Sequence, residues 1–258
     1  MRYVVAVKQV PDTMSVRLDE NGSLVREGVP AILNPYCESA LSHILSMRRE
    51  GDTVAVVTMG PQKASDALRR CIELGADDAY LLSDRDFAGA DTWATARVLA
   101  AFIGKYEPDA DLYVFGRQAI DGDTGQVPYE VAGLLDVQQF AYTESLTIDG
   151  DGFAAVQDYE TFARTARVPR GSVVSFGTVE PSGRLPTVAG YRRGKAAEIR
   201  VLGRVDLGLG LYSVGLKGSV TKIVGTESVK AARRGMKVEI IDPNKGAEFI
   251  MREAEAFR

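Results

Sequence analysis

The chain passes from Leu112-Tyr113-Val114-Phe115 through Gly116-Arg117-Gln118-Ala119-Ile120-Asp121-Gly122-Asp123-Thr124-Gly125-Gln126-Val127-Pro128 into Tyr129-Glu130-Val131-Ala132-Gly133-Leu134-Leu135. The first run is short, continuous and apolar, which predicts a buried strand. The last reads as a helix. A strand that feeds a glycine-punctuated polar loop and then a helix start fits few places in a fold. The first-turn N–H groups of a helix are unpaired and its dipole favours an anion, so such a loop suits phosphate. Arg117 adds a cation with forked donor geometry. An ordinary strand-to-helix loop would read the same way in isolation, so the neighbours decide.

The neighbours repeat the pattern. Arg2 to Val10 is β-branched and nearly continuous in apolarity, which predicts a first parallel strand ending at Pro11. Residues Asp12 to Pro30 are polar and carry the turn signal Asn21-Gly22, with Val16, Leu18, Leu24 and Val25 available for two short strands. Asn34 suits a helix cap and Pro35 a first turn, with Glu38 near the positive end of a helix over Tyr36 to Glu50. Thr53 to Met59 is the second strand, and Gly60-Pro61 leads into a helix over Gln62 to Leu74 that Gly75 closes. Ala79 to Leu82 is the third strand, and Asp91-Thr92 opens another helix. With Leu112 to Phe115 this makes an alternation of strands and helices, which predicts a parallel sheet with right-handed crossovers.

In such a sheet, ligands bind beyond the carboxyl ends of the strands. That rim collects Ala6, Val7 and Lys8, then Met59 and Gly60, then Asp91 and Thr92, then Gly116 onward. Three glycine- or proline-marked loops at one rim turn the phosphate-friendly loop into a candidate nucleotide cradle.

From Gln138 the texture changes. Phe140–Ile148, Phe153–Gln157 and Phe162–Val168 are strand-like, with Asp149-Gly150-Asp151-Gly152 as a turn, which predicts a hairpin or meander. Gly171 to Val179 is a further strand, and Glu180 to Pro186 breaks regular structure. Gly190-Tyr191-Arg192-Arg193-Gly194-Lys195 is a basic segment, as compatible with a solvated face as with a partner site. The remainder, with a helix over Asn244 to Phe257, must pack back on the domain or lie along another chain.

Composition bounds the function classes. At 258 residues the chain is long enough for one large domain or for one domain plus an appendage. Hydrophobic content of 45% and charged content of 26% are those of a soluble globular protein. A net charge of −4 gives no bulk argument for nucleic acid. Cys37 and Cys71 have no CxxC spacing and His43 is the one histidine, which argues against a metal centre. No stretch of about twenty apolar residues spans a membrane and no cleavage-like segment follows the short N-terminal run, so a cytoplasmic protein is expected. Asp121 and Asp123 read as loop-ordering carboxylates, and no catalytic residue is assigned.

Along nearly its full length the chain resembles the beta subunit of electron transfer flavoproteins. The residues that carry the resemblance are Ala6-Val7-Lys8-Gln9-Val10-Pro11-Asp12-Thr13, Asn34-Pro35-Tyr36-Cys37, Thr58-Met59-Gly60-Pro61, Gly75-Ala76-Asp77 and, above all, 116–128. The resemblance implies a Rossmann-like three-layer α/β/α domain with a mainly parallel sheet over residues 1–200, with an added β-hairpin. It implies an extended C-terminal arm, 201–258, on an FAD-bearing alpha subunit. The cofactor-binding residues it implies are Ala6, Asn34, Pro35, Tyr36, Cys37, Met59 and the loop Gly116, Arg117, Gln118, Ala119, Ile120, Asp121, Gly122, Asp123, Thr124, Gly125, Gln126 and Val127, to which the rim adds Val7, Lys8, Gly60, Asp91 and Thr92. In ordinary carriers of the family that nucleotide is AMP. Arg117, Gly122, Thr124 and Val127 are similar instead to the electron-bifurcating members, which hold FAD reduced by NADH. A pyrophosphate carries more charge and bulk than one phosphate, and Gly122 and Arg117 suit it. The implied partners are the alpha subunit, an acyl-CoA dehydrogenase, and ferredoxin or flavodoxin. Structural AMP remains the alternative occupant, and an unrelated nucleotide-binding module of the same class the third reading. Leu185 is the nearest match to a partner-docking leucine of the AMP type, at altered spacing.

Overall fold

The computed structural model describes residues 1–12, 17–18, 24–25, 30–178, 184–222 and 242–255. In chain order, β1 spans Arg2–Ala6, β2 Gln9–Pro11, β3 Arg17–Leu18, β4 Leu24–Val25 and β5 Ala31–Leu33. Helices and strands then alternate as α1 (Pro35–Met47), β6 (Thr53–Met59), α2 (Ser65–Leu74), β7 (Asp78–Leu82), α3 (Thr92–Tyr106), β8 (Leu112–Gly116) and α4 (Val127–Leu135). The second half adds β9 (Gln139–Asp149), β10 (Gly152–Asp158), β11 (Ala163–Val168), β12 (Ser172–Phe176), α5 (Val188–Ala196), β13 (Arg200–Leu202), α6 (Gly215–Gly218) and α7 (Pro243–Glu255). The chain divides into two units, Met1–Ile223 and Val224–Arg258.

The first unit is built on a nine-stranded sheet in the order β11-β10-β9-β12-β8-β1-β6-β7-β13. Strands β9 to β13 along that order, through β12, β8, β1, β6 and β7, run parallel; β10 and β11 are antiparallel. The strict alternation of side chains along a strand sorts the core into two halves. Tyr3, Val5, Val54, Val56, Leu112 and Val114 face α1 and α2. Val4, Ala6, Ala55, Val57, Tyr113 and Phe115 face α3 and α4. Both faces are covered, which is why these strands read as unbroken apolar runs rather than alternating ones. The result is the expected three-layer α/β/α architecture with its mainly parallel sheet, and β9–β10–β11 is the expected meander.

Two local expectations are corrected, and a third segment gains a structure. The predicted strand over Arg2 to Val10 is two strands. The Val7 N–H donates to the Val57 carbonyl at 2.8 Å, and the chain then turns so that β2 pairs antiparallel with β5. Val10 stays buried at this second position, so the apolar run continues across a change of sheet. The helix predicted to Glu50 stops at Met47, because Arg48 is extended. The basic segment 190–195 lies in a helix, α5, that packs on α2. A Cβ on Gly190 would lie 2.3 Å from the Glu73 carbonyl oxygen, and one on Gly194 2.8 Å from that of Arg69, so the two glycines permit the contact. Arg193 is exposed, yet its guanidinium reaches back to donate to the Ala76 carbonyl at 2.7 Å.

The hairpin strands at Leu18 and Leu24–Val25 are present as β3 and β4, while Val16 and Asn21-Gly22 lie outside the described residues. Between β13 and residue 222 the chain packs against the rest of the first unit, with Leu207 and Val214 buried. In the second unit α7 exposes Ile250 and Met251. No helix among the described residues is long and apolar enough to cross a membrane.

Candidate functional site

The register of the parallel strands brings their carboxyl ends to one rim. Ala6 pairs with Val57 and Phe115, Met59 with Leu82, and Phe176 with Gly116. The loops that follow β1, β6, β7 and β8 therefore emerge side by side, and all the sequence-selected residues lie on or next to them.

Asn34 organises the centre of the rim. It sits where a capping residue would, yet its side chain makes no capping bond to α1. Its Nδ2 donates to the Gln118 carbonyl at 2.8 Å and to Cys37 Sγ at 3.2 Å, and its Oδ1 accepts from the Ile120 N–H at 3.2 Å. The residue is fully buried. Its amide is thus a clip between α1 and the β8–α4 loop, and the capping expectation gives way to a bond formed across 84 residues. Lys8 adds a second tie, with Nζ 2.8 Å from Asp121 Oδ1. Both groups are partly exposed, so this pair contributes at most about 1 kcal/mol.

Within the loop, Gln118 Nε2 donates to Asp123 Oδ1, and the Gly122 and Asp123 N–H groups fold back on the Ala119 carbonyl. Asp123 is left-handed at φ 52 and Gly125 at φ 63. The first turn of α4 has no side-chain cap, and neither has α1 nor the 3-10 turn at Gln62–Ala64 behind Gly60. Arg117 has no carboxylate partner among the described residues; its guanidinium carbon lies 5.0 Å from the centre of the Tyr142 ring. A Cβ on Gly122 would meet nothing within 4 Å, leaving that backbone open to a close approach. Bare helix starts, an uncompensated arginine and an accessible glycine backbone together fit an anionic phosphate group.

The neighbouring loop behaves differently. Asp91 caps α3 by accepting from the Ala94 N–H at 2.9 Å. Its other oxygen accepts from the Val220 and Thr221 N–H groups, each at 2.8 Å, and from the Thr221 hydroxyl at 2.9 Å. Burial alone would raise this carboxyl, but those hydrogen bonds outweigh it and hold the group below the usual carboxylate range. Its contribution to stability is therefore present above the unfolded value and is lost as pH falls below about 4. Asp91→Ala is expected to cost about 1–2 kcal/mol at neutral pH, read by urea denaturation. The variant should also lose less stability than the parent on acidification from pH 5 to 3.

Thr92 faces the end of the 116–127 loop and the start of α4. Its hydroxyl lies 3.1 Å from Gln126 Oε1 and 3.0 Å from Glu130 Oε1. Glu130 was not selected from the sequence. Its Oε2 is buried without a partner among the described residues. Burial raises its carboxyl, the Thr92 hydroxyl opposes this and Asp91 adds to it, so the net shift is upward. Cys37 is buried and its thiol pushed up by that burial, which makes it a packing group rather than a nucleophile. Leu185 is 78% exposed on the stretch before α5.

The profile of the family described as Electron transfer flavoprotein domain matches residues 21–206. The chain is 40% identical over 238 residues to the Electron transfer flavoprotein subunit beta of Thermoanaerobacterium thermosaccharolyticum, covering 91% of each chain. It is 40% identical, again over 238 residues, to the Caffeyl-CoA reductase-Etf complex subunit CarD of Acetobacterium woodii, covering 91% of this chain and 90% of the relative. To Protein FixA of Azotobacter vinelandii it is 37% identical over 262 residues, covering 94% of this chain and 88% of that one.

Proposed function

The chain belongs to the electron transfer flavoprotein family, and from that premise we propose that it is the beta subunit of an alpha–beta heterodimer of the electron-bifurcating kind, with FAD held along the rim. The observation that carries this reading is Arg117. It follows β8 with no carboxylate partner among the described residues, ahead of an uncapped helix start and in the same loop as Gly122, whose backbone is open. One phosphate is served by a helix N-terminus alone; a pyrophosphate has a use for the added fork of an arginine.

In this reading Arg117, Gln118 and the stretch Thr124, Gly125, Gln126 and Val127 hold the phosphates. Ala6, Val7, Lys8, Asn34, Pro35, Tyr36, Cys37, Met59 and Gly60 surround the remainder of the nucleotide, and Thr92 closes one side. Asn34 keeps the loop in register with α1, and Lys8 offsets Asp121 so that carboxylate does not repel the ligand. The redox chemistry, hydride in from NADH and single electrons out toward a low-potential carrier and the alpha-subunit FAD, is supplied by the flavin itself. No side chain of this chain is assigned an acid–base role.

The partner set follows from the same reading: the alpha subunit, ferredoxin or flavodoxin, and an acyl-CoA dehydrogenase. Likeness to a subunit named for a caffeyl-CoA reductase complex supports a dehydrogenase acting on CoA esters. The C-terminal arm, 201–258, meets the alpha subunit outside β13 and the buried Leu207 and Val214, and that subunit supplies cover for the exposed Tyr212, Leu216 and Val220 of the first unit and Ile250 and Met251 of the second. The work is placed in the cytoplasm.

The test is cofactor release from the co-purified heterodimer. About two FAD per alpha–beta pair are expected, together with bleaching of flavin absorbance by NADH alone. One FAD accompanied by one AMP, with no bleaching, would replace this reading with the AMP-holding scaffold.

A further inference from the structure

Strand β9 carries a distortion beside Arg117 that the sheet itself does not require. Against β12, Phe140 pairs with Val174 and Thr143 with Phe176, so Ala141 and Tyr142 together oppose Ser175 alone. This is a β-bulge, a device that re-aims a side chain. Tyr142 pays for it with a left-handed backbone at φ 50, an outlier for a bulky residue.

The distortion is held from both sides. On one side Gly177 gives room: a Cβ there would lie 3.2 Å from Tyr142 Cα. On the other, Gln157 of β10 is fully buried and its Nε2 donates to the Ala141 carbonyl at 2.7 Å, past the last paired residue of β9 and β10. The Gln157 Oε1 is fixed in turn by Arg164 Nη2 at 2.7 Å and Nε at 3.1 Å. Backbone strain of this kind persists where the surroundings over-determine it, and it clusters at functional positions.

What the bulge achieves is the placement of the Tyr142 ring against the Arg117 guanidinium, 5.0 Å from ring centre to guanidinium carbon. The Tyr159 ring backs Tyr142 at 5.6 Å. An arginine with no carboxylate partner would otherwise sample many rotamers in solvent. A ring face attracts it through the ring quadrupole and leaves its donors unspent, whereas a carboxylate would consume them.

We propose that Tyr142 is a positioning residue for the nucleotide site: it holds Arg117 in place while keeping the guanidinium donors free for the phosphate groups of the ligand. This rests on the reading of the 116–127 loop as a phosphate cradle. It adds a part of the chain, the β9 bulge and its Gln157 support, that lies outside that loop.

The test uses the full-length chain freed of nucleotide and titrated with ADP by calorimetry. ADP is the probe because it carries a diphosphate and only one nucleoside. Asparagine tolerates the left-handed backbone, so Tyr142→Asn removes the ring without adding strain, and Tyr142→Gly is a second ring-free variant. Both should bind ADP about threefold to tenfold more weakly, while Tyr142→Phe, which keeps the ring face, should stay within about twofold of the parent. Arg117→Gln should weaken binding about tenfold or more, and adding Tyr142→Asn to it should cost nothing further.

If the ring-free variants bind like the parent while Arg117→Gln is weakened, the positioning role is wrong and the cradle stands. Additive losses in the double variant also sink it, since Tyr142 would then act independently of Arg117. If Arg117→Gln itself leaves ADP binding unchanged, the cradle reading fails and takes this proposal with it.

Discussion

Gly116→Ala is expected to destabilise the protein by about 3 kcal/mol, read as a shift of the urea midpoint at unchanged slope. Gly116 is the last residue of β8 and is buried where α1 begins. An added Cβ would lie 2.6 Å from the Tyr36 carbonyl carbon and 2.8 Å from both the Cys37 nitrogen and the Tyr36 Cβ. Two of those three atoms are main chain, so no rotamer change relieves the contact. The first turn of α1 would have to retreat, yet Ala40, Leu41 and Ile44 behind it are fully buried against the sheet. Gly122→Ala, six residues on, is the control: nothing lies within 4 Å of its Cβ, and a change within about 0.5 kcal/mol is expected. Equal stabilities for the two variants would mean that α1 yields freely and that the close approach at Gly116 does not fix the rim.

Asn34→Leu is expected to cost about 3 kcal/mol and to weaken ADP binding at least tenfold. The leucine nearly conserves volume, so the loss reports hydrogen bonding rather than a cavity. It strands the Gln118 carbonyl and the Ile120 N–H, each of which now pairs with the same buried amide. Because both belong to the cradle loop, the loss of affinity should exceed what the drop in stability alone would give under conditions where the variant stays folded. Unchanged ADP affinity in a destabilised but folded variant would show that the loop holds its shape without the clip.

The two residues differ in how far the sequence announces them. The alternation of apolar runs with helices was legible because each run is bounded by glycine or proline. The rim then followed from the polarity of a parallel sheet. Gly116 was visible as loop punctuation, but its contact with Tyr36 joins residues 80 apart and leaves no local mark. Asn34 is the sharper case. Locally it has every sign of a helix cap, and the bond that defeats that reading is made to a loop far along the chain. The same holds at Val7 and Lys8, where apolarity runs on through Val10 while the chain changes sheets. In β9, nothing in the alternation over Phe140–Ile148 announces that Ala141 and Tyr142 share one partner. The glycines of Gly190-Tyr191-Arg192-Arg193-Gly194 looked incidental beside the charges, whereas their spacing of four is what lets α5 lie on α2.

The long sequence separations across the rim bear on the order of folding. Lys8 meets Asp121 across 113 residues and Asn34 meets Gln118 across 84. Contacts of this range come after the local strand–helix units have formed, because loop-closure entropy opposes them first. The 116–127 loop is then among the last parts of the chain to assemble, and a nucleotide held there as proposed would meet only the finished sheet. Such a ligand acts by mass action on the native state and slows unfolding more than it speeds folding. Occupancy of the rim would therefore lengthen the lifetime of the folded chain before its partner subunit arrives.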